Sequence, residues 1–272
     1  MDITLRRPAY LELRAAKASS HSAARLAAAP LAALVLGISA ESASAGCKDE
    51  PRPGVAWVEC QKTRLMLGGS DLSGGDFTQT FFTSSDLRGV NLSGANLTRA
   101  DLSNASLADA DLSDANMEKA VGTRADFSGA NLSNANLSAA EFSRTRFTGA
   151  TMTGVKFEDA EMNRSDFTGA DLTGANMAKV ELARVILTDA VISGVSFSYS
   201  NLSRANLQGT DMGDADLTGT YMFLTRVSGA DLSRTTGLTA DQVAIACGSE
   251  ETLLPEGLSA PETWPCPEYG EE

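Results

Sequence analysis

Residues 94–103 read GANLTRADLS and contain one five-residue pattern twice. In each copy a small residue, Ala95 or Ala100, stands two positions before a leucine, Leu97 or Leu102, with Asn or Asp between them. The pattern continues in one register and without insertion from residue 70 to residue 234, which gives 33 units. A repeat this long specifies the architecture, because each unit of a repeat protein packs on its neighbours.

The central position of the unit is apolar in 32 of the 33 copies, as Leu, Phe, Met, Ile or Val. The position two residues earlier is Ala in 18 copies and Ser, Thr, Val or Gly in the others. Alternating small and large side chains suit two residues that share a narrow interior. Asp or Asn precedes the centre in 19 copies, and we expect this residue and the two after the centre to face water.

Gly122 is the one centre without an apolar side chain. Two outcomes are open at this unit. Either the coil carries a local void, or a small distortion turns Val121 inward.

A period of five matches neither the 3.6 residues of a helix nor the two residues of a half-buried strand. It fits a chain that turns a corner once per unit, so that four sides close a square coil and stacked coils pair their backbone groups. The repeats resemble the pentapeptide-repeat family, whose A(D/N)LXX motif recurs at 95–97, 100–102, 130–132 and 170–172. The resemblance covers residues 70–234 and implies an all-β solenoid, a right-handed quadrilateral parallel β-helix with the centres as an inner ladder.

Four units per coil place residues twenty apart in one column, and 33 units make about eight coils. Phe127, Phe147 and Phe167 are then predicted to stack inside the solenoid.

An open solenoid exposes its apolar interior and its unpaired edges at both ends. We expect residues 46–69 to form an N-terminal cap, in which the stretch between Cys47 and Cys60 is an irregular lid with Trp57 as its plug. Residues 235–272 are expected to form a C-terminal cap and tail. Thr239 and Gln242 have the spacing of a capping box, and they predict a short capping helix. The tail that follows is expected to fold back against the last coils.

Residues 1–45 have the composition of an export signal, with five basic side chains up to residue 25 and the apolar stretch LAAAPLAALVLGISA at 26–40. Ala43 and Ala45 fit the small-x-small cleavage pattern, so we expect cleavage after Ala45 and a periplasmic or secreted protein. An uncleaved membrane anchor is the alternative, although the stretch is short for a hydrocarbon core of about 30 Å. No stable membrane span is expected after cleavage.

Four cysteines, Cys47, Cys60, Cys247 and Cys266, lie outside the repeats, two before them and two after them. An even number of cysteines in an exported chain favours disulfides. Three pairings are open, and the repeats between the two pairs favour Cys47 with Cys60 and Cys247 with Cys266. Free or metal-binding thiols are the alternative, although the spacings match no zinc knuckle.

The chain is acidic, with a formal net charge of −13. Loss of residues 1–45 would leave 17 basic and 32 acidic side chains, a charge of −15. Such a charge argues against nonspecific nucleic-acid binding. His21, the single histidine, lies in the export signal, and the sequence has no glycine-rich phosphate loop, metal-spaced Cys/His set or nucleophile elbow. We therefore expect no enzyme activity, no cofactor, no metal site and no nucleic-acid partner.

One outward column of the solenoid is patterned. Twenty-residue stacking places five arginines in it: Arg124, Arg144, Arg164, Arg184 and Arg204. Glu141, Glu161 and Glu181 stand beside them in the same units. Two interpretations are open: a self-neutralising surface, in which each exposed pair contributes less than about 1 kcal/mol, or a docking strip for an acidic or phosphate-bearing partner.

Tyr221, Phe223 and Leu224 occupy outward positions on this same face near the C-terminal cap, and Phe81 lies on it near the other end. We expect the terminal segments to cover them. Otherwise they are contact points for another chain, since clustered exposed aromatic residues mark interfaces.

These features favour an exported, noncatalytic structural or protein-interaction module with an unidentified protein partner, and a homodimer through a rod end is a further expectation. The resemblance implies an alternative, because the family includes acidic rods that mimic duplex DNA and bind type II topoisomerases. The negative charge agrees with that alternative. The export signal, the arginine column and the absence of loop insertions in the repeats argue against it.

Overall fold

The computed structural model describes residues 46–265. Residues 1–45, which hold the expected export signal, and residues 266–272 lie outside the described residues. The described part has a 3-10 helix at Gly46–Lys48 and an α-helix, α1, at Ala240–Ile245. Neither described helix is long and apolar enough to cross a membrane. Between them the chain alternates short turns with single-residue β-bridges.

Parallel bridges join residues twenty apart, such as Asn96 with Asn116 and Asn116 with Asn136. The amide of a central residue donates to a carbonyl nineteen residues later, for example Leu97 N–H to Asn116 O at 2.7 Å. The amide before it donates twenty-one residues back, for example Asn96 N–H to Gly75 O at 2.9 Å. Four five-residue units therefore make one coil of a parallel β-helix, and each coil stacks on the next.

Where Asp or Asn precedes the centre, its side chain closes a corner of the coil. The Oδ1 atom of Asn91 accepts the Ser93 amide at 3.0 Å, and that of Asp171 accepts the Thr173 amide at 3.0 Å. These Asx-type loops explain why Asp and Asn prevail there. The second residue after the centre, such as Asn134 with φ of +59°, takes the left-handed conformation that Gly, Asn and Asp adopt most easily.

The central side chains form the core, and the predicted phenylalanine stack is confirmed. The ring centroids of Phe127 and Phe147 are 5.2 Å apart, and those of Phe147 and Phe167 are 5.0 Å apart, with both pairs stacked. All three rings are fully buried. Repetition at the coil spacing therefore places like side chains in direct contact, which favours both apolar burial and ring packing.

Most serine and threonine side chains at the small inner position bond to the neighbouring coil, whereas the buried Ser200 hydroxyl has no hydrogen-bond partner among the described residues. Thr145 Oγ1 donates to Gly122 O, and Ser165 Oγ donates to Phe142 O, each at 2.7 Å. Both hydroxyls are buried, so these bonds remove the penalty for burying a polar group. The inner position therefore accepts Ser and Thr as well as Ala.

Gly122 follows neither of the two outcomes considered for it. The Phe142 ring from the next coil fills the space of the missing side chain, because a Cβ built on Gly122 would lie 2.0 Å from Phe142 Cε1. Val121 stays half-buried in the bridge column. Phe142 packs edge-on against Phe127, with 5.6 Å between ring centroids. A large residue one coil away thus compensates for the glycine.

Residues 53–69 continue the coil, so the irregular lid expected between Cys47 and Cys60 is wrong from residue 53 onward. Their turns and bridges keep the five-residue spacing, beginning with Ala56 paired to Asp76. The ladder reaches Thr236, which gives about nine coils rather than eight. The five-residue pattern is not recognisable in the sequence of these residues, because central positions such as Lys62 are not apolar.

Trp57 plugs the N-terminal end, but it does so from a central position of the first coil. It is fully buried, and its ring centroid lies 5.7 Å from that of Phe77 and 6.4 Å from that of Phe82. Lys62 occupies the next centre. Its Nζ lies 3.7 Å from the centroid of the Trp57 ring and donates to Cys47 O at 2.8 Å. Burial lowers the pKa of Lys62.

The cysteine pair expected before the repeats is joined in the structure. Cys47 and Cys60 form a disulfide with their Cα atoms 5.4 Å apart, which ties the 3-10 helix to the first coil. Cys247 is disulfide-bonded too. Its expected partner, Cys266, lies outside the described residues.

The predicted capping helix is confirmed as α1. Thr239 and Gln242 form its capping box, in which the Thr239 amide donates to Gln242 Oε1 at 2.8 Å. Gln242 Nε2 then donates to Leu217 O at 2.8 Å and to Thr220 O at 2.9 Å. One buried amide side chain therefore starts the helix and fastens it to the last coil.

The chain after α1 folds back on the last coils, as expected. Trp264 Nε1 donates to Ala246 O at 2.8 Å, and the ring lies against Gly248, where a Cβ would be 2.3 Å from it. Leu253 bridges to Asp231 and extends the ladder beyond the repeats.

One bridge of the ladder within residues 56–236 is missing, that between Val191 and Asp211. Asp214 Oδ1 accepts the Gly194 amide at 2.7 Å, where other coils use a backbone carbonyl. The repeat is thus regular in sequence but locally distorted on one side of one coil.

Substituting Gly122 with Ala should destabilise the protein by about 1–3 kcal/mol, because the added methyl group would displace the Phe142 ring from a packed core. Urea unfolding measures this change. The same substitution should cost less in a Phe142→Leu background, since the smaller side chain leaves room. An equal cost in both backgrounds would show that Phe142 does not fill the space.

Candidate functional site

The stacked coils bring the five predicted arginines into one column. They occupy the second position after the centre on one side of the solenoid, which we call the arginine face: residues 61–64 and every twentieth residue onward to 221–224. All five side chains are exposed. Bridges join Glu141 to Glu161 and Glu161 to Glu181, so the glutamates form a parallel column on the same face.

The backbone of these arginines is in an unfavourable conformation for their residue type. Their φ angles lie between +57° and +62°, in the left-handed region that favours glycine. On the adjacent side of the coils, seven of the nine equivalent corners between Gly69 and Gly229 are glycine, whereas none is glycine between Arg64 and Leu224. The arginine face therefore carries long cationic side chains where the fold favours a residue with no side chain.

The arginines make no direct ion pairs that would offset this cost. Within residues 46–265, none of the five guanidinium groups lies within 4.0 Å of a carboxylate. The Glu181 carboxylate instead accepts a hydrogen bond from the side-chain amide Nδ2 of Asn201 at 2.8 Å. The two columns thus stand side by side without the contacts that direct self-neutralisation requires.

Arginines elsewhere on the coils do pair with carboxylates. Arg146 lies 2.9 Å from Asp126 in the preceding coil, and Arg88 lies 2.6 Å from Asp86 in its own unit. The hydrogen bonds from Arg88 lower the pKa of Asp86 to about 2. The fold can therefore accommodate arginine–carboxylate pairs, but the five arginines of the column, like Arg64, Arg99 and Arg226, form none among residues 46–265.

Tyr221 and Phe223 end the arginine face with an exposed aromatic pair. Their rings stack with centroids 6.2 Å apart, and the residues are 52% and 41% exposed. Leu224, which is half-buried, is the next residue in the arginine column after Arg204. The expectation that terminal segments cover the two aromatic residues is wrong for the described part of the chain. Phe81, near the other end, is exposed as well.

The repeat pattern did not predict two residues, Arg64 on this face and Ile245 next to it. Arg64 occupies the same corner as the arginine column, with φ of +56°, but it precedes the recognisable repeats. Ile245 is exposed at the end of α1, and its carbonyl accepts the Leu224 amide at 2.8 Å. Its position depends on how α1 docks, which no repeat pattern encodes.

Asp carboxylates on the coils accept backbone hydrogen bonds at the corners. Hydrogen bonds from the side chain and backbone of Ser233 lower the pKa of Asp231, so it stays charged at neutral pH. No group of three His, Cys, Asp or Glu side chains in residues 46–265 is arranged to hold a metal ion.

Comparison with known proteins agrees with the coil geometry. The family model described as pentapeptide repeats matches in 8 copies: 67–104, 100–138, 130–169, 140–178, 165–199 and 200–236 among the matched residues. A search of curated proteins gives no match.

Solved pentapeptide repeat proteins are similar to this chain. HetL from Nostoc, involved in heterocyst differentiation regulation, is 25% identical, with 75% of this chain and 91% of HetL covered and a TM-score of 0.32. A protein from the Arabidopsis thaliana thylakoid lumen is 34% identical, with 45% and 71% covered and a TM-score of 0.33. QnrB1, a plasmid-mediated fluoroquinolone resistance protein, is 17% identical, with 71% and 90% covered and a TM-score of 0.33.

Replacing Arg144, Arg164 and Arg184 together by glycine should raise the stability of the protein. Glycine relaxes each left-handed corner by about 0.5–1 kcal/mol net of its flexibility in the unfolded chain, and the change also removes repulsion between stacked charges. Thermal unfolding at low and high salt measures both parts. Ala139→Gly, at an uncharged corner with φ of +55°, is the control for the backbone part, and only the excess over it should shrink with salt. A lower melting temperature would mean that the arginines stabilise the fold.

Proposed function

The chain belongs to the pentapeptide repeat family, and we propose that it is a noncatalytic protein-interaction module that works outside the cytoplasm. The observation that carries the proposal is the arginine face, where five exposed arginines occupy unfavourable corners and have no carboxylate partner among residues 46–265. A surface kept at a cost to stability indicates a binding role. The exposed pair Tyr221 and Phe223 supplies apolar contact area beside it.

A noncatalytic role is supported by the chemistry of the surface. The sequence after residue 45 has no histidine, and the carboxylates with lowered pKa values are charged groups at coil corners rather than proton donors near neutral pH. The outer faces of the coils present polar side chains at regular spacing, and such a surface suits binding to another protein.

Export is part of the proposal and is supported by the basic and apolar segments of residues 1–45. The Cys47–Cys60 disulfide agrees with an oxidising compartment. The proposal also includes a four-sided coil, supported by the four units per twenty residues; its right-handed sense is what the family resemblance implies. A homodimer through a rod end is the last part of the proposal, supported by the exposed Met66 of the first coil.

Separating the extracytoplasmic and cytoplasmic fractions should recover the protein outside the cytoplasm, with an intact mass that begins at Gly46. The mass should rise by about 4 Da on reduction, as two disulfides open. A full-length, reduced protein in the cytoplasm would contradict the proposal.

Cross-linking in the extracytoplasmic fraction tests the interaction role directly. The wild-type protein should capture a partner that the triple variant Arg144→Gln, Arg164→Gln, Arg184→Gln does not. Arg99→Gln is the matched control, because Arg99 occupies the same kind of corner, with φ of +56°, on another face. Equal capture by all three proteins would remove the arginine face from the proposal.

A second candidate function, binding to a type II topoisomerase as a DNA mimic, is favoured by one observation. The side of the coils two units away from the arginine face is acidic, and we call it the acidic face: residues 71–74 and every twentieth residue onward to 231–234. Arg234 is its one basic residue. Its acidic side chains are Asp71, Asp111, Asp114, Asp171, Asp211, Asp214 and Asp231. The arginines therefore do not interrupt this face.

If mimicry is the function, the purified protein should inhibit DNA supercoiling by gyrase. Replacing Asp111, Asp114 and Asp171 by Asn should weaken inhibition, because the charges that stand for phosphates are lost. Replacing the three central arginines by Gln should not. Absence of inhibition at protein concentrations well above that of the enzyme would exclude this candidate.

A further inference from the structure

The arginine face also indicates the chemistry of its partner, an inference that rests on the proposed interaction role. We propose that this face binds an extended acidic segment of a protein, about six residues long, followed by an apolar side chain that packs on Tyr221 and Phe223. The segment lies along the solenoid axis, over the column from Arg124 to Arg204.

The arginine column carries positive charge that the described residues of the chain do not pair. Five like charges repeat at the coil spacing of about 4.8 Å, and none has a carboxylate within 4.0 Å in residues 46–265. An arriving row of carboxylates would pair with guanidinium groups that extend from the backbone at one regular spacing, and Arg binds carboxylates with two parallel hydrogen bonds. The left-handed corners give the backbone at all five arginines the same conformation.

The length of the segment follows from the geometry of the column. Four coil spacings separate the first and last of the five arginines, a distance of about 19 Å at 4.8 Å per coil. A fully extended chain rises about 3.3 Å per residue and covers that distance with about six residues. The ligand therefore needs acidic side chains along most of its length rather than at a single position.

The end of the column selects a protein over other anionic polymers. Leu224 replaces arginine in the next coil, and Tyr221 and Phe223 flank it with exposed rings. A uniform polyanion, such as a nucleic acid or a sulfated polysaccharide, would place charge on this apolar surface. A protein segment can change from acidic to apolar within one residue.

The glutamate column limits the width of the ligand. Glu141, Glu161 and Glu181 are exposed beside the arginines and repel any anion broad enough to cover both columns. A single extended strand fits over the arginine corners alone. The net charge of −13 repels acidic ligands at long range. Apolar contact at Phe223 acts only at short range, so it slows dissociation of the bound segment and does not speed its approach.

Fluorescence anisotropy with two labelled peptides tests the proposal: six glutamates followed by Leu-Phe, and Leu-Phe followed by six glutamates. The mature protein should bind one of them more tightly than a matched peptide with six glutamines. Arg144→Gln, Arg164→Gln, Arg184→Gln should weaken binding by about tenfold or more, since three exposed ion pairs are lost. Arg99→Gln should bind as the wild type does.

A second variant tests the apolar end. Tyr221→Ser, Phe223→Ser should bind the Leu-Phe peptides no better than six glutamates alone, while it keeps its dependence on the three arginines. Thermal unfolding of every variant shows whether its coils are intact.

Several outcomes would overturn the proposal. One is that the triple arginine variant binds the peptides as tightly as the wild type does. Another is that heparin or oligodeoxythymidylate binds more tightly than the peptides and depends on the arginines. A third is that the peptides bind only after removal of residues 267–272, which would make the chain's own tail the occupant. If the peptides fail while cross-linked capture still depends on the arginines, the proposed function stands and the acidic segment is wrong. If capture fails as well, the proposed function falls with it.

Discussion

Backbone hydrogen bonds between residues about twenty positions apart are the interaction on which the rest of the structure depends. Each amide and carbonyl on a coil side must meet the next coil in register, as Leu97 N–H meets Asn116 O at 2.7 Å. Regular pairing over residues 56–236 depends on units of five residues and on corners of nearly the same shape. The apolar centre, the small inner residue and the left-handed corner are consequences of that requirement.

Within this frame, packing is decided along the solenoid axis rather than within one unit. Phe142 fills the space above Gly122, and Thr145 bonds to Gly122 O, so one weak unit is supported by the coil after it. The ends have no neighbouring coil, and each is closed by a different device. Trp57 and the Cys47–Cys60 disulfide close the first coil, whereas Gln242 fastens α1 to the last.

The outward positions are much less constrained, and there the chain differs from side to side. The corner after the centre requires a left-handed backbone but no particular charge, so glycine is the least costly choice. The arginine face departs from that choice in five successive coils from Arg124 to Arg204, and the acidic face stands two units away. The fold explains neither pattern, which is why both faces bear on function.

Several features could be predicted from the sequence, because each follows from a strict period or a local motif: the column of every repeat residue, the phenylalanine stack and the capping box at Thr239. The tertiary structure alone decided how far the coil extends toward Trp57, what occupies the space at Gly122 and that Tyr221 stays exposed. It also showed that the five arginines have no carboxylate partner within the part of the chain that the structure describes. The reason is physical: these properties depend on side-chain contacts between coils, or on units that break the pattern, and a one-dimensional repeat specifies position but not which neighbours touch.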